Sequence, residues 1–260
     1  MIGNSIKKNI NINKMSASIK LFNECLETND WDKINEHFIH CCSTSATLEE
    51  IRYMVDNGAN PRANGDFPFY RSSWKDTNIL LYFINECGVD INTRNGIALE
   101  KAIYNNNVEL IKLLIDMGAN PRINDDKLFR VSCKHNYIGI ISFFLNEVGA
   151  DINAKNGIAL VNAIQANYAI HDELINEDVI ELLLKSGIII SDDAIKVAFI
   201  KARINILKLF AKYGISYEYM FQIFFQELIK NKEKYAIMKF LSDNIDDIGQ
   251  SFNQSLARFR

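Results

Sequence analysis

One phrase occurs twice in this chain and limits what it can fold into. Residues Val89–Ile103 read VDINTRNGIALEKAI, and residues Ala150–Ile164 read ADINAKNGIALVNAI. A shorter phrase, Gly-Ala-Asn-Pro-Arg, also recurs, at Gly58–Arg62 and Gly118–Arg122. Such a chain stacks copies of one small unit, so its period precedes every other reading. It also spends its length on a surface rather than on a reaction centre.

The period follows from the glycines that close amphipathic stretches: Gly58, Gly88, Gly118, Gly149, Gly187 and Gly214. By subtraction, the first three steps are 30, 30 and 31 residues, and the fourth is 38. Ahead of these glycines an apolar pattern of i, i+3, i+6, i+7 returns, as in Leu48, Ile51, Met54, Val55 and in Val108, Ile111, Leu114, Ile115. It recurs as Ile138, Ile141, Phe144, Leu145 and as Ile204, Leu207, Phe210, Ala211. That spacing is one stripe of an α-helix. Each stripe spans about ten residues, too few to be stable alone in water, so neighbours are required. A second helix opens each unit, as in Gly96–Ile103 and Gly157–Ile164. There Ala98, Ala102, Ala159 and Ala163 allow close packing. The Asp-Ile-Asn segments are expected to run extended into the next unit.

These residues resemble ankyrin repeats. Asn95–Asn120 runs without a gap against the family pattern, with Leu99 and Ala102 at its leucine and first alanine. Val108–Ile115 stands at the second helix, and Gly118-Ala119-Asn120 at its ending. The family's Thr-Pro-Leu-His has become Ile97-Ala98-Leu99-Glu100, and the period is about 30 instead of 33. A shortened or absent hairpin finger is the consequence. Abbreviated repeats in an Ile-, Asn- and Lys-rich chain look like the ankyrin proteins of giant (Mimivirus-like) DNA viruses.

The resemblance implies an all-α ankyrin-repeat solenoid of about seven stacked helix-turn-helix units. Residues 1–30 are expected to form a tail and capping helix. The units run roughly 31–61, 62–90, 91–120, 121–151, 152–188, 189–216 and 217–246, and 247–260 is a C-terminal tail. Alternation of Gly-Ala-Asn-Pro-Arg with Asp-Ile-Asn implies a two-repeat block of about 60 residues. The long fourth step places an insertion of about eight residues near Asn167–Leu174.

Little in the sequence suggests chemistry. Among His37, His40, Cys41 and Cys42, His37 and Cys41 share a helix face, but nothing nearby completes four metal ligands, so a structural role is read. No phosphate loop, nucleophile elbow or paired-carboxylate arrangement is present. Adjacent Asp192 and Asp193 after Ser191 read as acids in a first helical turn. The chain is therefore read as no enzyme, with no catalytic residue, metal or cofactor. Five cysteines without framework spacing indicate reduced thiols. A net charge of −3 argues against nucleic acid. No apolar run is long enough for a membrane span, and residues 1–15 lack the apolar core of a secretory signal.

The expected function is non-catalytic protein–protein recognition by a monomer, through first helices and loops. It would act in the cytoplasm, that of the host cell if the protein is viral, or in the nucleus. The alternative is a substrate adaptor for a ubiquitin ligase, though the aromatic-rich Glu218–Arg260 segment lacks the Leu-Pro opening of an F-box-like motif. Arg62, Arg94, Arg122 and Lys155 follow successive glycines by four or six positions, which in extended loops would align them on one rim. Arg71, Lys75, Lys101, Arg130 and Lys134 come from first helices nearby, and Tyr104 sits at the end of one. On this reading the partner is an unidentified protein with an acidic surface. Asn153, and Asn92 with Ile84 in place of the upstream leucine, also resemble ankyrin asparagines modified by hydroxylases.

Overall fold

A computed structural model describes residues 16–44, 46–72, 76–166, 177–201 and 203–230. Among them there are helices and turns and no strand, the all-α class expected. After α1 (Ala17–Glu27) the helices come in pairs. These are α2 (Trp31–Ser43) with α3 (Leu48–Asp56), α4 (Ala63–Ser72) with α5 (Thr77–Asn85), and α6 (Thr93–Tyr104) with α7 (Val108–Asp116). Next come α8 (Ile123–Lys134) with α9 (Ile138–Phe143), α10 (Ala154–Gln165) with α11 (Glu177–Lys185), and α12 (Asp192–Ile200) with α13 (Ile204–Lys212). The last described helix is α14 (Tyr217–Lys230); the second helix expected after it, the insertion, Lys75 and both terminal tails lie outside the described residues.

The chain divides into two compact units. The first holds residues 1–101 and 114–119. In it α1 packs on α2 and α3, α2 on α3 and α4, and α4 on α5, around buried Phe22, Phe38, Met54, Phe69 and Phe83. The second holds residues 102–113 and 120–260. Its first helices pack in succession, α8 on α10, α10 on α12 and α12 on α14, and α8, α10 and α12 also touch their own second helices, α9, α11 and α13. Ala159, Ala163, Ala194 and Ala198 are buried where these helices meet. Small side chains let the axes approach, and Phe129, Phe144, Phe210 and Phe221 fill the wider spaces.

The centre of each predicted stripe is buried: Ile51 and Met54, Ile111 and Leu114, Ile141 and Phe144, Leu207 and Phe210. Its ends are not, and Ile138 is 43% exposed. The buried arc turns instead toward the preceding position, so Leu110, Ile140 and Ile206 join the core.

All six closing glycines have positive φ, the left-handed ending that needs no Cβ. Two styles alternate over the first four, while Gly187 and Gly214 both show the first, with Ile188 N–H reaching Leu183 O and Ile215 N–H reaching Phe210 O. At Gly58 and Gly118 the next N–H reaches five residues back, Ala59 to Met54 O and Ala119 to Leu114 O. At Gly88 and Gly149 it reaches six back, Val89 to Phe83 O and Ala150 to Phe144 O. The extra residue is wound into the helix end, visibly as a π-helical turn at Phe144–Val148.

The loops are not extended, contrary to expectation. Asp90–Thr93 is a β-turn closed by Thr93 N–H to Asp90 O (2.9 Å), and Asp151–Ala154 matches it at 3.1 Å. Three successive left-handed residues then start four of the first helices, α4, α6, α8 and α10: Asn64-Gly65-Asp66, Arg94-Asn95-Gly96, Asn124-Asp125-Asp126 and Lys155-Asn156-Gly157. Asn, Asp and Gly tolerate this conformation best, which accounts for the composition. Asp66, Gly96 and Gly157 each close the turn by donating an N–H to the carbonyl four residues back. A Cβ on Gly157 would stand 2.9 Å from the Ile189 carbonyl, so that position also lets the next loop approach. Pro68 fits because right-handed helix begins only after Asp66, placing it in the first turn.

Candidate protein-recognition surface

The left-handed turns decide where the cations go. In the first unit, Arg62 Nε donates to Asp66 Oδ1 at 2.8 Å, and the Thr93 hydroxyl donates to Asp66 Oδ2 at 2.8 Å. Asp66 is 6% exposed, and its hydrogen bond with Arg62 holds its carboxyl below the ordinary carboxylate range against the opposing effect of burial. In the second unit, Arg122 contacts both oxygens of buried Asp126 (2.9 and 2.8 Å), and Asp126 accepts the Asp151 N–H at 3.0 Å. Lys155 pairs with Asp125 at 2.7 Å. Arg122, Asp125, Asp126, Asp151, Ala154 and Lys155 line an open groove of about 610 Å³ in which three carboxylates face two cations. Of the four cations expected on a basic rim, Arg62, Arg122 and Lys155 are therefore neutralised inside the loops.

Asp66 yields a prediction with a definite sign. A carboxylate whose folded pKa is depressed contributes stability above the unfolded value of about 3.9, lost as pH falls through the folded value. Asp66→Asn should therefore be less stable than the parent at pH 7, and the gap in denaturant midpoint should close below about pH 4. A gap that stays constant from pH 7 to 3 would remove the Arg62–Asp66 bond as its source.

Arg94 differs. Its Nε and one terminal nitrogen donate to the carbonyls of Gly65 and Asn64, both at 2.9 Å. Its guanidinium lies 5.0 Å from the Phe67 ring centroid and 5.4 Å from that of Tyr70. Phe67 and Tyr70 share one face of α4, stacked at 5.7 Å and 14°, and each is half-buried. Exposed Arg71 approaches Phe67 from α4 itself at 5.8 Å, with Nε donating to the Ser43 hydroxyl at 2.9 Å. Two guanidinium groups thus attend one ring pair. Neither makes an ion pair among the described residues. Charge and spacing point to the arginines but not to the rings, although Phe67 and Tyr70 stand three residues apart on a first helix.

The other expected contact residues scatter. Lys101 does not reach the surface: it is 1% exposed, and burial lowers its pKa to about 7, opposed by the nearby Glu100 charge. Tyr104 is half-buried against His135 (4.8 Å, edge-on), and the Tyr137 hydroxyl donates to the Tyr104 carbonyl. Arg130 donates to the Asn124 carbonyl at 2.9 Å, and Lys134 is exposed. Asn92 and Asn153 join loops: their side-chain amides donate to the Gly118 and Gly187 carbonyls (3.2 and 3.3 Å), and Asn153 Oδ1 also accepts the Ile189 N–H. A hydroxylase would have to draw them out against these bonds.

The second helices carry a different pattern. Arg52 and Glu86 form a two-point ion pair, and Lys112–Glu147 and Lys212–Glu181 bridge others at 3.3 and 3.1 Å. His37 Nε2 lies 2.9 Å from the Ser18 carbonyl and 3.3 Å from Cys41 Sγ, which ties α2 to the residues of α1. No group of three or more His, Cys, Asp or Glu that could hold a metal occurs among the described residues. Among them no helix is long and apolar enough to cross a membrane.

Known proteins share this repeat pattern. Residues 75–156 match the family model of ankyrin repeats in three copies. The putative ankyrin repeat protein R598 of Acanthamoeba polyphaga mimivirus is 27% identical over 194 residues, covering 56% of this chain and 64% of its own length. Putative ankyrin repeat protein L72 of the same virus is 24% identical over 167 residues, covering 54% of this chain and 41% of its own. The matches therefore span less than two thirds of either relative.

Proposed function

We propose that this ankyrin-repeat chain, similar to proteins of a giant virus, is a non-catalytic recognition module that binds another protein through its first helices and their loops. One observation carries the reading. Half-buried rings and exposed arginines without a carboxylate partner among the described residues converge on the first-helix side at Phe67, Tyr70, Arg71 and Arg94, whereas the second-helix cations that lie over rings, Arg52, Lys112 and Lys212, are each paired with a glutamate. Aromatic residues and arginine are the types that dominate binding energy at protein interfaces. If the chain is viral, as its relatives are, the partner is met in the host cytoplasm or nucleus.

The test has two stages. Tagged full-length chain is used to recover partners from amoebal extract, and each recovered protein is then produced pure and mixed with the chain. Co-elution of a stoichiometric complex that weakens in Arg71→Gln supports the reading. Failure of every purified partner to co-elute overturns it. A cullin-type ligase subunit among the co-eluting proteins would instead make the chain a substrate adaptor.

A further inference from the structure

We infer that Phe67, Tyr70, Arg71 and Arg94 form the seat for an acidic linear segment of a partner protein. Its carboxylates would meet the two guanidinium groups, and an apolar side chain between them would lie on the ring pair. The inference rests on the recognition reading above and adds the partner's chemistry.

Charge complementarity carries it. Arg62, Arg122 and Lys155 each lie within 2.8 Å of a carboxylate oxygen, so their charge is already compensated. Arg71 and Arg94 instead bond a hydroxyl and two backbone carbonyls, which fix their planes without neutralising them. A guanidinium carries five N–H donors. Arg71 uses one in these bonds and Arg94 two, so each keeps a donor edge for an anion. Both guanidinium groups lie near the same Phe67 ring, at 5.8 and 5.0 Å from its centroid, so an anionic segment seated at that ring gains from two positive charges. The site is built before any ligand arrives: bonds to the left-handed turn hold Arg94, and Ser43 holds Arg71. Little side-chain freedom remains to be lost on binding.

The site favours a protein segment over a nucleic acid. A single strand would find rings and arginines here, but it needs a basic groove to follow its phosphates. The loop cations Arg62, Lys155 and Arg122 are spent on Asp66, Asp125 and Asp126, and the chain carries −3 overall. An acidic peptide needs only the two charges and the rings.

The experiment uses the full chain and a random twelve-residue peptide library, with labelled oligo-dT and oligo-U in parallel. Enriched peptides should carry at least two Asp or Glu beside an aliphatic or aromatic residue. One such peptide should lose about tenfold or more in affinity against Arg71→Gln and against Tyr70→Ala. Against Arg62→Gln and Lys155→Gln it should stay within about twofold, since those cations are already paired. Arg94→Gln is read only if its melting matches the parent, because that side chain also ties two loops; Arg71→Gln keeps the test decisive otherwise. Neutral or basic enriched peptides, or acidic ones that bind Arg71→Gln as well as the parent, overturn the acidic seat and leave recognition standing. No enrichment at all overturns both. Oligonucleotide binding that exceeds the peptide's and falls in Arg71→Gln overturns the seat in favour of a nucleic acid.

Discussion

Leu114→Ala is expected to destabilise the chain by roughly 2–5 kcal/mol, the range for emptying a fully buried leucine site. Leu114 is 0% exposed at the centre of its stripe, and its carbonyl accepts the Ala119 N–H that closes the helix. The side chain is lost where neighbouring groups are least free to collapse, because the backbone is pinned there. For a chain of this size the melting temperature should fall by roughly 4–20 °C. Calorimetry on the two proteins decides it, with exposed Leu113→Ala as the comparison. Equal losses for the two would mean that the buried stripe is misassigned.

Asp126→Ala should be the most damaging change in any loop, at about 2–3 kcal/mol. Three effects combine. The Asp151 N–H loses its acceptor, Arg122 loses both of its contacts, and alanine must hold the left-handed φ of 58°. Arg122 is about half exposed, so water can take over its charge, which keeps the cost below that of orphaning a buried cation. Asp126→Asn separates the contributions: it tolerates the backbone and can still accept the N–H, so most of the loss should be recovered. Urea midpoints of the three proteins give the comparison. If Asn and Ala cost the same, the charge and not the loop joint is what matters.

Much of this fold could be read from spacing. Gly58, Gly118 and their counterparts end helices where the stripes stop, and Ala159 and Ala163 lie buried between helices as their size implied. Three things were missed, each for a physical reason. Left-handed triplets have no periodicity, and a turn containing Arg94 or Lys155 lacks the glycine-rich look that would reveal it. Reading those loops as extended then hid the pairing of Arg62 with Asp66 and of Arg122 with Asp126, although both acids come four residues later. Lys101 stands one helical turn after buried Ile97, so its place in the interior was readable, but its charge drew it onto the surface list. In the candidate site, the arginines stood out by charge, while nothing in the spacing singled out Phe67 and Tyr70.

The alternating joints limit how a chain of this kind can change in length. Loops with Arg62 and Arg122 lock through an aspartate to the succeeding loop, at Thr93 or the Asp151 N–H, while loops with Asn92 and Asn153 lock through an amide to the next glycine carbonyl. From Gly58 to Gly149 the helix endings alternate in step with them, five residues back and then six. Excising one repeat sets two joints of the same kind side by side, and one of them meets a neighbour built for the other. Excising or copying two restores every match. Growth and shrinkage at the gene level are therefore expected to obey parity, with viable length variants differing by about 60 residues and not by 30.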